Sequence, residues 1–406
     1  MPILVQKFGG TSVADAQRIH LAARKAVRAK LAGNQVVLVV SAMGHTTDKL
    51  IELAQEVARK PSKREMDMLI STGEQVSIAL MAMAIQEAGY EAISLTGAQV
   101  GMRTDSQHSR ARIQSIDTQR VRGLLDEGRI VIVAGFQGVD PDFNITTLGR
   151  GGSDTTAVAL AAALKAGICE IFTDVDGVYT CDPRLVPQAR KLDHISYDEM
   201  LELASRGAGV MHARSIELGK KFNVPIHVRS SFTDTAGTMI VERFQGMEDV
   251  VVRAASLKPS IGRVTFTELP NVPGLAAEIF GKIAGQQIIV DDIIQSIYDG
   301  GRKATIAFTA DAADLGKAQA TAELLVQRYP GARVEVADNL ATICVVGIGM
   351  RSHSGVAAMM FEALRAEGVN IENISTSEIV VSAVVKREDA EKALGAVHKV
   401  FGLGQG

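Results

Sequence analysis

The 406-residue chain predicts an α/β fold in two parts. A doubly wound, mainly parallel sheet is expected over residues 1–245, followed by two βαββαβ modules of α+β type. Three observations carry this. Short β-branched runs alternate with longer Ala-, Leu- and Glu-rich segments through the first half, the pattern of βαβ units. Runs such as Val36–Val40 are apolar at every position, as strands covered on both faces must be. The second half repeats itself. Pro273–Ile283 aligns with Ser354–Leu364 with a glycine and a phenylalanine in register, and Val290–Ile293 aligns with Ile371–Ile374.

Taken in order, the expected strands of the first half are Ile3–Phe8, Val36–Val40, Ala92–Leu95, Ile130–Ala134, Cys169–Thr173 and Pro225–Arg229. Helices are expected over Ala14–Leu31, Glu65–Ala88, Arg110–Asp126 and Thr155–Ala166. The stretch 246–263 reads as a connector with a further strand, Val250–Ser256, that can complete the second module. The modules themselves span 264–339 and 340–406. In open parallel sheets the ligand sits beyond the carboxyl ends of the strands. Those ends here carry Lys7–Ser12, Ser41–Gly44, Gly135–Gly138 and Thr173–Gly177, so polar residues and glycine gather where a site belongs.

Composition removes several functions. With 43 Lys and Arg against 46 Asp and Glu, the formal net charge is −3, and no cationic excess exists for a polyanion. No spanning segment or secretory leader is expected, which places the protein in the cytoplasm. Cys169, Cys181 and Cys344 are too scattered for a disulfide framework or a zinc site and read as free thiols. No metal-ligand set is predicted. Neither G-x-x-x-x-G-K-[ST] nor G-x-G-x-x-G occurs, so a nucleotide would need another glycine architecture.

Three motifs offer one. Lys7-Phe8-Gly9-Gly10-Thr11-Ser12 joins the first strand to a helix, where glycine lets amides approach a phosphate and Lys7 adds a point charge. A tight turn with a solvated lysine is equally compatible with that short string. Gly149-Arg150-Gly151-Gly152-Ser153-Asp154-Thr155-Thr156 opens an Ala-rich helix. Ser153 or Asp154 could cap it, and the planar fork of Arg150 suits a carboxylate. Thr173-Asp174-Val175-Asp176-Gly177-Val178-Tyr179 follows another strand and runs on to Asp182-Pro183-Arg184; Asp176 and Gly177 fit a turn, while the wider pattern suits a ribose, an adenine edge or a Mg–phosphate group. Glu74, beside a mid-helix glycine, is either solvated or turned into a crevice.

Together these strings resemble the monofunctional aspartate kinases of the amino-acid kinase superfamily, and the repeated module is similar to their paired ACT domains. The likeness covers the whole chain; the Gly149–Ala157 string is its most specific part. It implies transfer of the γ-phosphoryl of ATP, with Mg²⁺, to the side-chain carboxylate of L-aspartate, at the entry to lysine, threonine and methionine biosynthesis. It further implies that Lys7, Gly10 and Asp154 are catalytic, and that Lys7, Phe8, Gly9, Gly10, Ser41, Thr173, Asp174, Tyr179, Asp182 and Arg184 bind ATP. Thr47, Glu74, Arg150, Gly151, Gly152 and Ser153 would hold aspartate.

For the modules, the resemblance implies feedback control by lysine, threonine or both. The matching positions are Asn271, Gly274, Ala276, Asp292 and Gln295 in one copy, and Asn370, Ile371, Thr376, Ser377 and Glu378 in the other. A homo-oligomer through the ACT modules is expected, and Met247 is placed for an internal start of a separate small subunit. Two other readings stay open: a non-catalytic amino-acid sensor, or a kinase for another carboxylate such as glutamate or N-acetylglutamate.

Overall fold

The computed structural model describes residues 1–244 and 250–405. Met247 and part of the 246–263 connector lie outside them. The chain forms two compact units. The first comprises Met1–Tyr179, Lys191–Ser205 and the described residues from Gly209 to Phe244. The second comprises Thr180–Arg190, Arg206–Ala208 and the described residues from Val250 on.

The first unit is built on an eight-stranded sheet in the order His194–Ser196, Thr238–Val241, Ile226–Ser230, Ile168–Thr173, Ile3–Phe8, Gln35–Val40, Ile130–Ala134, Ala92–Leu95. Every neighbouring pair is parallel except Ile226–Ser230 with Thr238–Val241. The all-apolar runs are buried on both sides. Val36, Leu38, Val40, Ile130 and Ile132 pack with Ile19, Ala22, Ala26, Ile78, Met81 and Ile85 from the helices Ala16–Leu31 and Thr72–Glu87. Val37, Val39, Val131 and Val133, also buried, alternate onto the other face, where the helix Gly152–Leu164 packs beside Ile3–Phe8 and Gln35–Val40. That helix is buried around most of its girth, which its Ala-rich sequence permits.

Two predicted helices differ. Glu65–Ala88 is two helices, Lys63–Ile70 and Thr72–Glu87, parted at Ser71, where the Ser71 and Thr72 hydroxyls donate back to the carbonyls of Met68 and Leu69. The combined stretch is long and apolar enough to cross a bilayer by length and composition alone, yet Ile70, Ile78, Met81 and Ile85 are core residues here. Arg110–Asp126 contains a strand, Ile113–Ile116, before the helix Gln119–Asp126. This strand joins Met102–Thr104, Gln137–Val139 and Ile145–Thr147 in a small separate sheet.

The second unit is one six-stranded antiparallel sheet with four helices, Leu275–Gly285, Leu315–Val326, Val356–Ala366 and Ala390–Val400. Its long central strand, Ala254–Pro270, serves both repeats. Residues 261–270 pair with Lys303–Asp311, and residues 254–258 pair with 342–346, the completion expected for the second module. The edges are Val290–Tyr298 and Asn373–Thr376. Cys169, Cys181 and Cys344 are buried free thiols.

Candidate active site

The site is assembled at the carboxyl ends of Ile3–Phe8, Gln35–Val40, Ile130–Ala134 and Ile168–Thr173, where the N-terminus of the helix Gly152–Leu164 also arrives. Lys7 Nζ lies 2.6 Å from Asp154 Oδ1, and each side chain is only 11% exposed. Asp154 is therefore not a helix cap. Gly151 takes the cap position in the left-handed region (φ +66°), where an added Cβ would fall 2.2 Å from His212 Cβ, and Asp154 sits in the first helical turn facing Lys7. Ser153 likewise lies within the helix and is buried; a Cβ on Gly135 would stand 2.6 Å from its hydroxyl, so the strand tip and the helix meet at backbone distance.

The first motif is a close-packed loop. A Cβ at Gly10 would approach the carbonyl oxygen of Ala42 to 2.9 Å, and one at Gly9 would come 3.3 Å from Lys7 Nζ. Glycine thus keeps the lysine and the neighbouring strand tip in place. The Phe8 ring is fully buried and stacks on Phe172 with centroids 4.8 Å apart. Its side chain roots the loop and is not presented to a ligand. The Ser41 amide donates to the Phe8 carbonyl at 3.1 Å, and Ser12 and Ser231 share a hydroxyl–hydroxyl hydrogen bond below.

Glu74, in the first turn of Thr72–Glu87, faces the same edge. The Ala42 amide donates to its Oε1 at 3.2 Å, while its buried Oε2 has no partner. Burial pushes the carboxyl up to about 7, against the opposing effect of that amide. An orphaned buried carboxylate oxygen is a ready acceptor for a ligand's N–H. Thr47 is half-buried in the first turn of the helix Thr46–Val57 nearby. Arg150 is exposed between Gly149 (φ +80°) and Gly151, with no hydrogen bond or ion pair among the described residues, and Gly152 packs under it against Phe136.

At the neighbouring tip, Thr173 Oγ1 donates to Asp174 Oδ1 at 3.1 Å, and Asp174 is exposed. Tyr179 is engaged locally. Its hydroxyl donates to Asp176 Oδ1 at 2.7 Å, and Lys191 Nζ lies 3.1 Å from the other oxygen. Burial works to raise the Asp176 carboxyl, but these two donors outweigh it and hold it below its usual range. Burial and the bond to Asp176 push the Tyr179 phenol up to about 12, so it remains a donor at neutral pH. Asp182 and Arg184 belong to the second unit, where Arg184 grips Asp182 with Nη2 at 2.6 Å and Nε at 3.0 Å.

The positions expected to bind effectors fall into two groups that one chain does not bring together. Gly274 and Gly355 are matching left-handed caps (φ +90° and +96°) of the first helix in each repeat. Ala276 follows the first cap, and Asn271 ties the preceding turn by donating to the Gly301 carbonyl at 2.8 Å. Asp292 and Gln295 lie on the edge strand Val290–Tyr298. Thr376 lies on the opposite edge, with Asn370, Ile371, Ser377 and Glu378 beside that strand; Glu378 pairs with Arg351 at 3.0 Å.

Three contributors were not foreseen: the Ala42 amide, Lys191, and Asp67, a fully buried carboxylate behind the arginine loop. The first is backbone and carries no sequence signal. Lys191 sits in an ordinary charged run. Asp67 stands among charged residues in Lys63-Arg64-Glu65-Met66-Asp67 and likewise carries no signal of its burial.

The family model described as "Amino acid kinase family" matches residues 2–230, and one described as "ACT domain" matches residues 343–401. The chain is 50% identical over 405 residues to the aspartokinase of Geobacillus stearothermophilus, covering 100% of this chain and 98% of that one. Two crystal structures of E. coli aspartokinase III align with it. The complex with aspartate and ADP (R-state) has a TM-score of 0.82 at 29% identity, covering 98% of this chain and 99% of that one. The complex with lysine and aspartate (T-state) has a TM-score of 0.77 at 28% identity, with the same coverages.

Proposed function

Since the chain belongs to the aspartokinases of the amino acid kinase family, we propose that it transfers the γ-phosphoryl of ATP to the side-chain carboxylate of L-aspartate, giving 4-phospho-L-aspartate and ADP. One observation carries the reading. At the carboxyl ends of the sheet strands, the buried Lys7–Asp154 ion pair, the glycine-framed Arg150 ahead of the same helix, and Glu74, whose buried Oε2 has no partner and whose Oε1 is bonded to the Ala42 amide, are held by neighbouring strand tips and helix starts. A carboxylate with an ordinary pKa near ~4 is ionised at neutral pH, so the acceptor needs no general base. What the site must supply is position, plus positive charge against a loose, metaphosphate-like phosphoryl group. Lys7 and the Gly10 amide supply the charge, the Gly9 amide being bonded to the Phe172 carbonyl at 3.3 Å. ATP enters as its Mg²⁺ complex, with the ion held mainly by the phosphates.

On this reading Arg150 takes the α-carboxylate of aspartate as a bidentate pair and Glu74 takes the ammonium, leaving the side-chain carboxylate to attack. Thr47 and Gly151–Ser153 line the amino-acid pocket. Ser41, Thr173, Asp174 and Tyr179 hold the nucleotide. Residues 1–245 form the catalytic domain, 246–263 the connector, and 264–339 and 340–406 the two ACT modules. ADP release measured with aspartate, glutamate and N-acetylglutamate in parallel tests the assignment. Turnover is expected with aspartate alone; preference for either of the others, or none at all, overturns it.

Glu74 makes the reaction pH-sensitive. Binding an ammonium needs its carboxyl ionised, and that carboxyl titrates near about 7. The aspartate KM is expected to fall as pH rises towards that value, by about tenfold per unit below it, and to level off above. Stability moves the opposite way. The unfolded chain releases this proton near the usual 4.5, whereas the folded state keeps it to about 7, so stability declines with pH between those values and is flat above them. Glu74→Gln should flatten both profiles and raise the aspartate KM at pH 8; steady-state kinetics and thermal unfolding from pH 6 to 8 measure both.

The enzyme would act in the cytoplasm at the entry to lysine, threonine and methionine biosynthesis, with lysine, threonine or both as inhibitors at the ACT modules. The lysine-bound E. coli enzyme motivates the first. Asp292 and Gln295 lie on one edge strand of the sheet and Thr376 on the other, and the edge exposing Ile293 and Ile297 favours pairing with another copy, which would bring the two groups together. A homo-oligomer through these modules follows, alone or with a small subunit begun at Met247. Lysine and threonine at millimolar concentration, singly and together, should lower ADP release; no effect of either refutes the regulatory reading.

A further inference from the structure

We propose that Asp67 is a positioning residue for the amino-acid substrate, setting the loop that carries Arg150 against the helical segment that carries Glu74. The inference rests on the aspartate-binding reading above. Asp67 lies on the helix Lys63–Ile70 and is fully buried, with no ion pair to a lysine or arginine among the described residues. A carboxylate in that setting must collect donors, and it does so from two separate pieces of chain. Thr147 donates its hydroxyl to Oδ1 at 2.6 Å and its amide to Oδ2 at 3.0 Å. The Ser109 amide reaches both oxygens, at 3.1 and 3.0 Å, and the His108 Nδ1 lies 2.9 Å from Oδ2.

Both pieces lead to the arginine loop. Thr147 ends the strand Ile145–Thr147, three residues before Arg150. Ser109 is held in the left-handed region (φ +70°), and its carbonyl oxygen would stand 3.0 Å from a Cβ on Gly149, so it forms the floor under that turn. Arg214 stitches the far side by donating to the carbonyls of Leu148 at 3.0 Å and Ala111 at 2.9 Å. Arg150 itself has no side-chain partner among the described residues, so the loop backbone alone decides where its guanidinium starts from.

The other end of the connection is the helix. After Ile70 only Ser71, whose carbonyl accepts from Gln137 Nε2 at 2.9 Å, separates the helix bearing Asp67 from the one bearing Glu74. Asp67 therefore bridges the two groups that grip opposite charges of one small ligand, whose ammonium and α-carboxylate have a fixed separation. A displacement of even an ångström breaks that match.

The test is Thr147→Val, which removes one donor to Asp67 at nearly constant volume, with Thr147→Ser as the conservative control and Asp67→Asn as the stronger variant. Asp67→Asn turns an acceptor into a donor facing donors. Expected are a rise in aspartate KM of roughly tenfold in Thr147→Val and up to a hundredfold in Asp67→Asn, an unchanged ATP KM, and return to near wild-type values in Thr147→Ser. A general structural role would move both KM values and the melting temperature together; that result, or an unchanged aspartate KM in Thr147→Val, overturns the proposal. Should Asp67→Asn fail to fold, the two Thr147 variants decide alone. Wild type is assayed alongside: a wild type inactive on aspartate overturns the substrate reading and this proposal together, whereas an active wild type isolates the role of Asp67.

Discussion

Lys7→Ala is expected to lower kcat by roughly a hundred- to a thousandfold, with little change in the aspartate KM. The ammonium is tied into the buried part of the strand-tip cluster, held by Asp154 at 2.6 Å and close against Gly9. Charge spreads over the transferring phosphoryl oxygens only as the bond to ADP loosens, so a fixed cation there acts on the transition state more than on either bound substrate. The substitution has a second effect, since it leaves Asp154 buried without its partner, and breaking such a pair costs about 3–5 kcal/mol when burial is complete. At 11% residual exposure the cost is smaller. Lys7→Ala combined with Asp154→Asn separates the two: melting temperature should recover and turnover should not. ADP release at saturating substrate and thermal unfolding of the three proteins measure this, and a loss of less than tenfold in the single variant refutes the role.

Arg150→Ala should leave stability within about half a kcal/mol, because the side chain is exposed and makes no bond that folding depends on. Its effect falls on binding. Losing a bidentate, charge-assisted contact to the α-carboxylate is expected to raise the aspartate KM by about a hundredfold while the ATP KM stays put. Arg150→Lys should restore only part of the affinity, since an ammonium reproduces the charge and not the planar fork. A rise in ATP KM without one in aspartate KM would move Arg150 to the nucleotide and undo the division of labour between the Gly149–Asp154 and Lys7–Ser12 loops.

The parts of this site that could be read from the sequence are those in which one residue type has one physical use. Glycine beside lysine at a strand end, and glycine on both sides of arginine at a helix start, mark backbone that must come close to something. The structure shows what that is: Ala42 for Gly10 and His212 for Gly151. The role of Asp154 was legible only in part. A first-turn aspartate suits both a cap and an ion pair, and the choice depended on Lys7, far away in sequence. Glu74 was ambiguous for the same reason, because its burial is decided by Ala42 and the strand tip rather than by its own helix.

The misread helix over Arg110–Asp126 has a local explanation. Ile113 and Ile116 are three residues apart, which matches a helical stripe, but they form a strand whose pairing slips: Ile113 opposes Thr104 while Ser115 opposes Arg103. A bulge lets a spacing of three serve a strand, and composition cannot report a bulge. The break at Ser71 was hidden likewise, since its back-bonding hydroxyl is as common within helices as at their ends.

The strand Ala254–Pro270 has a bearing on how the second unit comes into being. Its early part supplies a border to Thr342–Val346, nearly a hundred residues later on the chain, and its later part closes the first repeat. Synthesis therefore delivers half of a partnership long before the other half emerges, and the first repeat can mature while residues 254–258 wait. A polypeptide that began after Lys258 would leave Thr342–Val346 with an open flank, inviting self-association, whereas one that began anywhere ahead of Ala254 would keep the seam between the repeats whole.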